Sequence, residues 1–344
     1  MDGSRHRGGS ASGIIGGPMF PMIPAISRGR KALVALCLAL PWLIGAAAAS
    51  PVVPVVIGVL YPDIPAPYRE VFTQIIAGVR ATPGIMVRRY PLEQDADPVA
   101  LRRWVRTHGC RAVIALGRRG VAAAHDLDDP PVPVIAGAVL ITDPPADPGL
   151  VGISLAPDPA RLFARLRELA PAVRRVAVVY NPIHSAWLIG RAREAARAQG
   201  LQLTALGVGD LRAAVDQYRR IFEESDPGRL AVWLPQDPTT VDARLVLPLV
   251  LQAAWDRDVA VFSSNPAYVA RGVLFALYPN NMAMGTSLGR MALRAARRRR
   301  PRAPRLRLLR DLSIAVNLRT ADHLGLVFTG RQVQGFDLVF PVSR

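Results

Sequence analysis

Short runs of β-branched and aliphatic residues alternate with helical patterns from residue 55 to residue 264, and this alternation constrains the fold more than any other feature. Several runs are continuously apolar, as expected for strands that are buried on both faces. The gaps between runs hold one helix each, which favours right-handed βαβ units and parallel sheets. The predicted strands lie at 55–60, 85–90, 112–117, 133–139, 175–180, 201–208, 230–235 and 259–264.

The predicted strands fall into two series, 55–140 and 175–264, with a stretch rich in Pro, Gly and Asp at 142–149 between them. Such a stretch is typical of a crossover between compact units. The sequence therefore predicts an α/β protein with two Rossmann-like lobes, each built on a parallel sheet.

Several helices are marked by their end signals. Asp158 followed by Pro159 predicts an N-cap with proline at the first helical position. A helix from Ser185 is expected to end at Gly200. A long helix is predicted over 239–258, kinked at Pro248.

The N-terminus carries a targeting signal. Three basic residues, Arg28, Arg30 and Lys31, precede an uncharged apolar run at 32–49 that closes on alanines. This pattern predicts a secretory signal peptide, with cleavage near Ala49 and export to the periplasm. The alternative is a membrane anchor, but the most apolar part, 33–45, contains Pro41 and is shorter than the roughly 20 residues that a span needs.

The positive charge of the chain, +17 at pH 7, is mostly local. Nine arginines lie between residues 294 and 310, with no acidic residue among them. The run is either a patch for an anionic membrane or nucleic acid, or a solvated helix end whose arginines complement the helix dipole. Nucleic-acid proteins more often spread arginines along a groove and interleave aromatic residues, so no nucleic-acid partner is expected.

Motifs for catalysis and metal binding are missing from the sequence. There is no G-x-S-x-G, Walker A, H-E-x-x-H or C-x-x-C motif, and no dinucleotide fingerprint. The five histidines have no metal-like spacing. Cys110 is the only cysteine after the leader, so no internal disulfide is expected, and we interpret it as a small buried residue. We therefore expect no enzyme activity, cofactor or metal.

Polar residues follow several of the predicted strands. Ligands of open α/β sheets bind outside the carboxyl ends of the strands, and a helix that opens there can hold an anion such as a carboxylate. The alternative for each loop is ordinary turn chemistry. The candidate ligand-binding residues are Tyr61, Asp63, Gly117, Arg118, Arg119, Tyr180, Asn181, Ser185, Gln236, Asp237, Ser264, Asn265 and Tyr278. Trp187 and Trp233 are further candidates for stacking, or else core residues.

From about residue 56 to residue 326 the sequence resembles the ABC-transporter substrate-binding proteins with the type I periplasmic-binding fold, including those for aromatic amino acids. The matching segments are TDPPADPGLVGIS (142–154), LRELAPAVRRVAVVYNP (166–182), AVWLPQD (231–237), VAVFSS…VARGVLFALYPNNMAMG (259–285) and LSIAVNLRTADHLGL (312–326). The resemblance implies a hinge of three crossings, near 150–155, near 275–279 and before Leu312. It implies lobes formed by 54–153 with 277–303 and by 154–276 with 304–344, after a leader at 1–49.

The same resemblance implies a function. We expect a periplasmic, monomeric protein that closes about its hinge on a small organic solute and passes it to the permease of an ABC importer. The solute could be amino-acid-like or carboxylate-bearing. Arg118 and Arg119 replace the small residues expected in the carboxylate-holding loop and suit a more acidic ligand. The alternative is a periplasmic sensing protein that signals to a membrane receptor or kinase.

Overall fold

The structure is a computed structural model that describes residues 53–93, 97–125, 127, 132–141, 150–297 and 306–341. The predicted leader at 1–49 and the predicted crossover at 142–149 lie outside these residues. Most of the arginine run, 298–305, lies outside them as well.

Within the described ranges, strands and helices alternate as the sequence predicts. The strands are β1 (Val55–Pro62), β2 (Ile85–Leu92), β3 (Ala112–Leu116), β4 (Val134–Val139), β5 (Gly152–Pro157), β6 (Arg175–Tyr180), β7 (Gln202–Gly207), β8 (Leu230–Leu234), β9 (Ala260–Ser263), β10 (Phe275–Pro279), β11 (Leu306–Leu309), β12 (Leu312–Asn317) and β13 (Leu338–Phe340). The helices are α1 (Tyr68–Arg80), α2 (Pro98–Thr107), α3 (Gly117–Ala124), α4 (Pro159–Leu169), α5 (Pro182–Ala198), α6 (Leu211–Glu223), α7 (Val246–Trp255), α8 (Pro266–Val269), α9 (Asn281–Arg297), α10 (Leu318–His323) and α11 (Gly330–Gln334).

The strands form two sheets. The first sheet has six strands in the order β11-β5-β4-β3-β1-β2, and all of its neighbouring strands are parallel. The second has seven strands in the order β13-β12-β10-β9-β8-β6-β7, and only the β10–β12 pair is antiparallel. The predicted α/β class is confirmed, except that the second sheet is mostly rather than wholly parallel, because β12 returns antiparallel to β10. We call the six-stranded sheet with the helices packed on it the first lobe, and the seven-stranded sheet with its helices the second lobe.

Helices cover both faces of each sheet, which explains why many strands are apolar throughout. In the second lobe, Trp233 is fully buried and stacks with Phe262, while Phe163 of α4 meets its ring edge-on. Trp233 is therefore a core residue and not a stacking surface for a ligand. Cys110 is also buried, beside Trp104 and Gly58, as the sequence predicts.

The chain passes between the sheets three times. The first crossing follows Pro157 of β5, the second follows Pro279 of β10, and the third lies between Leu309 of β11 and Leu312 of β12. The predicted three-crossing connection between the two lobes is thus present.

The helix predicted over 239–258 is shorter than expected and has no kink at Pro248. α7 begins at Val246, so this proline stands in the first turn, where its missing N–H would have no helical partner. The preceding residues form turns, in which the Asp242 carboxylate accepts the backbone N–H groups of Arg244 and Leu245. None of the described helices is long and apolar enough to span a bilayer.

Two glycines let α1 and α9 approach each other very closely. A Cβ on Gly78 would lie 2.0 Å from the carbonyl oxygen of Met282, and one on Gly285 would lie 2.0 Å from that of Ile75. The Thr286 hydroxyl donates to the Gly78 carbonyl at 3.2 Å. α9 is therefore fixed on the first lobe, although it directly follows a strand of the second.

Candidate functional site

All three crossings lie at the carboxyl ends of parallel strands. β5 and β11 leave the first sheet at that edge, and β10 leaves the second sheet at the corresponding edge. β12 begins opposite Pro279, because it runs antiparallel to β10. The carboxyl edges of both sheets therefore adjoin the same set of crossings.

Hydrogen bonds and an ion pair tie the crossings together. The Asp158 N–H donates to the Leu309 carbonyl at 2.8 Å, and Arg310 Nε lies 2.7 Å from Asp158 Oδ2. The Asn280 N–H donates to the Asp311 carbonyl at 3.0 Å. The first crossing is thus joined to the third, and the third to the second.

In the first lobe, the loop after β3 opens α3 in the way the sequence predicts. Gly117 has a φ of +71°, in the left-handed region that favours glycine, and its Cα faces the ring of Phe72. Leu116, at the N-cap, supplies no side-chain hydrogen bond, so the first turn of α3 keeps free N–H groups. Arg118 and Arg119 follow in this turn, and both are exposed.

The loop after β1 lies beside this turn. A Cβ on Gly117 would lie 3.7 Å from Pro62 Cδ. Tyr61 packs against the core between the sheet and α1 with α9, and only part of its side chain is exposed. Asp63 is exposed and lies 3.5 Å from Arg69, which is also exposed, so this ion pair contributes less than about 1 kcal/mol.

In the second lobe, Asp237 connects two of the predicted loops. One carboxylate oxygen accepts the Asn181 N–H at 2.8 Å and faces the Ser185 hydroxyl at 3.4 Å. The other accepts the N–H of Thr239 at 3.0 Å and its hydroxyl at 2.6 Å. Asp237 is only 3% exposed. The structure therefore brings Asn181, Ser185 and Asp237 together, with the carboxylate engaged inside the lobe.

The two asparagines of these loops act as helix N-caps. Asn181 Oδ1 accepts the Ile183 N–H at 2.9 Å at the start of α5, and Asn265 Oδ1 accepts the Ala267 N–H at 3.0 Å at the start of α8. Gln236 Nε2 donates to the carbonyl of the buried Ser264 at 3.1 Å. The loops after β6, β8 and β9 are thus cross-linked by their own polar side chains.

The predicted tyrosines of the second lobe lie on opposite faces of its sheet. Tyr180 packs with the core under α4 and α5, whereas Tyr278 packs with the core under α6 and α7. Burial raises the pKa of Tyr278, the nearby Asp337 raises it further, and a hydrogen bond with Ser313 opposes both effects. The structure does not bring Tyr180 and Tyr278 together.

Two exposed apolar residues at these edges are not among the predicted site residues, because they lie in the first turns of helices and not directly after strands. Tyr68, the first residue of α1, is 68% exposed, and Ile183, in the first turn of α5, is 75% exposed. Helices that follow parallel strands begin at the carboxyl edge, so the first turns carry candidates as well. Within the described ranges, no group of three or more His, Cys, Asp or Glu side chains could hold a metal ion.

Comparisons with known proteins agree with this architecture. Residues 132–333, more than half of the chain, match the family described as ABC transporter substrate binding protein. No match is found among the curated proteins.

Comparison with solved structures finds the same fold at low sequence identity. A ligand-free, open substrate-binding protein with adhesive properties from Clostridium difficile is 15% identical, with a TM-score of 0.59 over 84% of this chain and 100% of that one. A domain from Streptococcus pneumoniae in complex with L-Trp is 18% identical, with a TM-score of 0.47 over 83% of this chain and 100% of that one.

Proposed function

The chain belongs to the ABC transporter substrate-binding protein family, and from this membership we propose that it binds a small organic solute between its lobes and delivers it to the permease of an importer. Proteins of this family bind small solutes and work with a membrane permease, and they are not catalytic. The chain is therefore not an enzyme.

The observation that carries the proposal is the position of the three crossings. Because they join the carboxyl edges of the two sheets, rotation about them changes the distance between the loops after β1 and β3 and the loops after β6, β8 and β9. Closure of this kind is a common response of two-lobed proteins to a ligand. A solute that contacts both sets of loops stabilises the closed arrangement by its greater affinity for it.

The first turn of α3 favours an anionic group on the solute. Its free backbone N–H groups and the positive end of the helix dipole attract a carboxylate. Arg118 and Arg119 add two positive charges where the dipole already repels them, so a bound anion would relieve this repulsion. We therefore expect a carboxylate-bearing solute held from the first lobe.

The second lobe would provide a rigid partner surface. Its loops are fixed by Asp237 and by the Gln236–Ser264 hydrogen bond before any ligand arrives, so little order needs to be gained on binding. Asn181, Ser185, Ser264 and Asn265 stand at this edge. Tyr68 and Ile183, one from each lobe, would cover the solute and exclude water as the lobes close.

We propose that the protein acts in the periplasm, because its family is typically periplasmic or extracellular and its sequence begins with a predicted signal peptide. N-terminal sequencing of the exported protein would test this part of the proposal. A first residue near Ser50 is expected, and a retained leader would contradict cleavage.

The main experiment is native mass spectrometry of the processed protein, followed by small-angle X-ray scattering with the molecule that it retains. A bound metabolite of low mass and a smaller radius of gyration after ligand addition are expected. If a panel of anionic and neutral solutes gives neither a thermal shift nor a compaction, the proposal is wrong. Loss of uptake of the same solute in a deletion strain would separate transport from sensing.

A further inference from the structure

The amino edge of the first sheet carries a group of arginines that the solute site does not use. This edge is where β1, β2, β3 and β11 begin and where α1, α2 and α9 end. We define the arginine edge as Arg80, Arg106, Arg111, Arg294, Arg297 and Arg307, all of which are exposed.

Backbone contacts place these residues on one side of the lobe. The Val55 N–H donates to the Gly84 carbonyl, and the Arg111 N–H donates to the Val56 carbonyl, both at 2.9 Å. A Cβ on Gly84 would lie 3.4 Å from Arg297 Nη2, so the end of α9 reaches the turn between α1 and β2. The parallel strands fix the remaining positions, since all of them begin at the same edge.

The described acidic residues of the first lobe lie at the opposite edge. In its described residues before the first crossing these are Asp63 after β1, Glu70 in the first turn of α1, Glu93 after β2 and Asp97 at the N-cap of α2. No described acidic residue forms an ion pair with a member of the arginine edge. Outside the described part, the sequence has five further arginines at 298–305, between α9 and β11, and three aspartates at 126–129, between the end of α3 and the start of β4.

Helix dipoles explain only part of this distribution. Arginines in the last turns of α1, α2 and α9 complement the negative ends of those helices. Arg111 and Arg307 lie at the starts of strands, where their charges complement no helix dipole.

We propose that the arginine edge is a docking surface for an anionic phospholipid bilayer. Each arginine that reaches such a surface strengthens binding by about fivefold. Anionic headgroups complement the charge of these six exposed arginines.

The charge distribution also sets an orientation. With the arginine edge on the bilayer, the carboxyl edge points away from it, so free solute can reach the site in this bound state, and delivery to a permease requires release of the arginine edge. A nucleic-acid surface would interleave exposed aromatic side chains, but the exposed aromatic residue of the described first lobe, Tyr68, lies at the carboxyl edge. The bilayer is therefore the better fit.

Vesicle sedimentation of the processed protein tests the proposal. We expect the protein to bind phosphatidylcholine vesicles that contain roughly one third phosphatidylglycerol and not to bind vesicles of pure phosphatidylcholine. Binding to the anionic vesicles should be lost at about 0.5 M salt. The triple variant Arg80→Glu, Arg106→Glu and Arg294→Glu should bind at least about tenfold more weakly. The corresponding Arg→Gln variant should show a smaller loss and serves if the reversed one does not fold.

The control reverses three exposed arginines of the second lobe, Arg193, Arg212 and Arg257, so that the net charge changes equally. It should keep most of the binding. Equal losses in both variants, or no binding to the anionic vesicles at low salt, would overturn the proposal. Tighter binding to a DNA duplex than to the vesicles at the same salt concentration would also overturn it. None of the substituted residues belongs to the solute site, so a negative result in the vesicle experiment would not contradict the proposed function.

Discussion

Asp158 and Arg310 form an ion pair across the hinge, although 152 positions separate them in the sequence. The guanidinium Nε lies 2.7 Å from Asp158 Oδ2, while Asp158 Oδ1 caps α4 through the Ala160 N–H at 3.0 Å. The aspartate is 14% exposed and the arginine 67% exposed. One carboxylate thus fixes the start of a second-lobe helix and a residue of the third crossing.

Removing this ion pair should widen the range of lobe separations while lowering the free energy of unfolding only slightly. Arg310→Gln is expected to lower the free energy of unfolding by only about 0.5–1 kcal/mol, because water screens the guanidinium. Small-angle scattering of the ligand-free protein should show a broader range of lobe separations. Arg165→Gln is the control, since Arg165 pairs with Glu168 at 2.8 Å on one face of α4. An equal change in scattering for the control would contradict a hinge role.

The close crossing of α1 and α9 should tolerate no added methyl group. Gly285→Ala would place Cβ 2.0 Å from the Ile75 carbonyl oxygen, so the helices must move apart. We expect the free energy of unfolding in urea to fall by about 2–3 kcal/mol. Gly190→Ala is the matched control, because nothing lies within 4 Å of a Cβ at that position of α5. It should stabilise the protein by about 0.5–1 kcal/mol, and a loss comparable to that of Gly285→Ala would contradict this account.

Asp237 should contribute to the free energy of unfolding even when no ligand is present. Asp237→Asn replaces one accepting oxygen with an amide that donates, although donors surround both oxygens. We expect a loss of about 2–3 kcal/mol in the free energy of unfolding. Asp216→Asn, which disrupts an exposed pair with Arg219, should cost under about 0.5 kcal/mol. A near-neutral Asp237→Asn would show that the carboxylate does not brace these loops.

The proposed solute site predicts a selective loss of affinity. Replacing both Arg118 and Arg119 by Ala should weaken binding of an anionic solute by at least about tenfold, since two charge-assisted contacts are lost. Isothermal titration calorimetry with the solute identified by mass spectrometry would measure this. Arg257→Ala, an exposed change in the second lobe, should leave the affinity unchanged. Unaltered affinity in the double variant would remove the first turn of α3 from the site.

Cys110 predicts a pH dependence of stability. Burial raises the pKa of its thiol from 9.0 to about 11, and Arg88 opposes part of the increase. Above pH 9.0 the unfolded chain releases this proton before the folded protein does, so alkaline conditions favour unfolding. The stability difference between the parent protein and Cys110→Ala should therefore be constant below pH 9.0 and shrink as the pH approaches about 11. A constant difference up to that pH would contradict the prediction.

The fold could be predicted from the sequence because its strands are continuous apolar runs. Burial on both faces leaves the same pattern in β1, β3, β6 and β8, whichever lobe they belong to. The error at Pro248 has a local cause, because proline is compatible with a first turn as well as with a kink. Only the turns made by Asp242 show which of the two occurs.

The site was harder to predict, because one residue type serves several roles. Asn181, Asn265 and Asp237 follow strands as ligand-binding residues do, yet their oxygens cap helices or join loops within the second lobe. Pairing of this kind depends on contacts between distant segments, such as the 56 positions between Asn181 and Asp237. Arg118 and Arg119 remain predictions from the sequence that the geometry of α3 supports.

The docking of α9 on α1 means that the first lobe cannot be completed early in synthesis. Thr286 reaches the Gly78 carbonyl across 208 positions, and β11, at the edge of the same sheet, comes still later in the chain. Until residues up to Leu309 have been synthesised, the earlier strands of the first sheet lack the covering helix α9 and the edge strand β11. Such late closure brings together segments that are far apart in the sequence, and contacts of this kind slow folding.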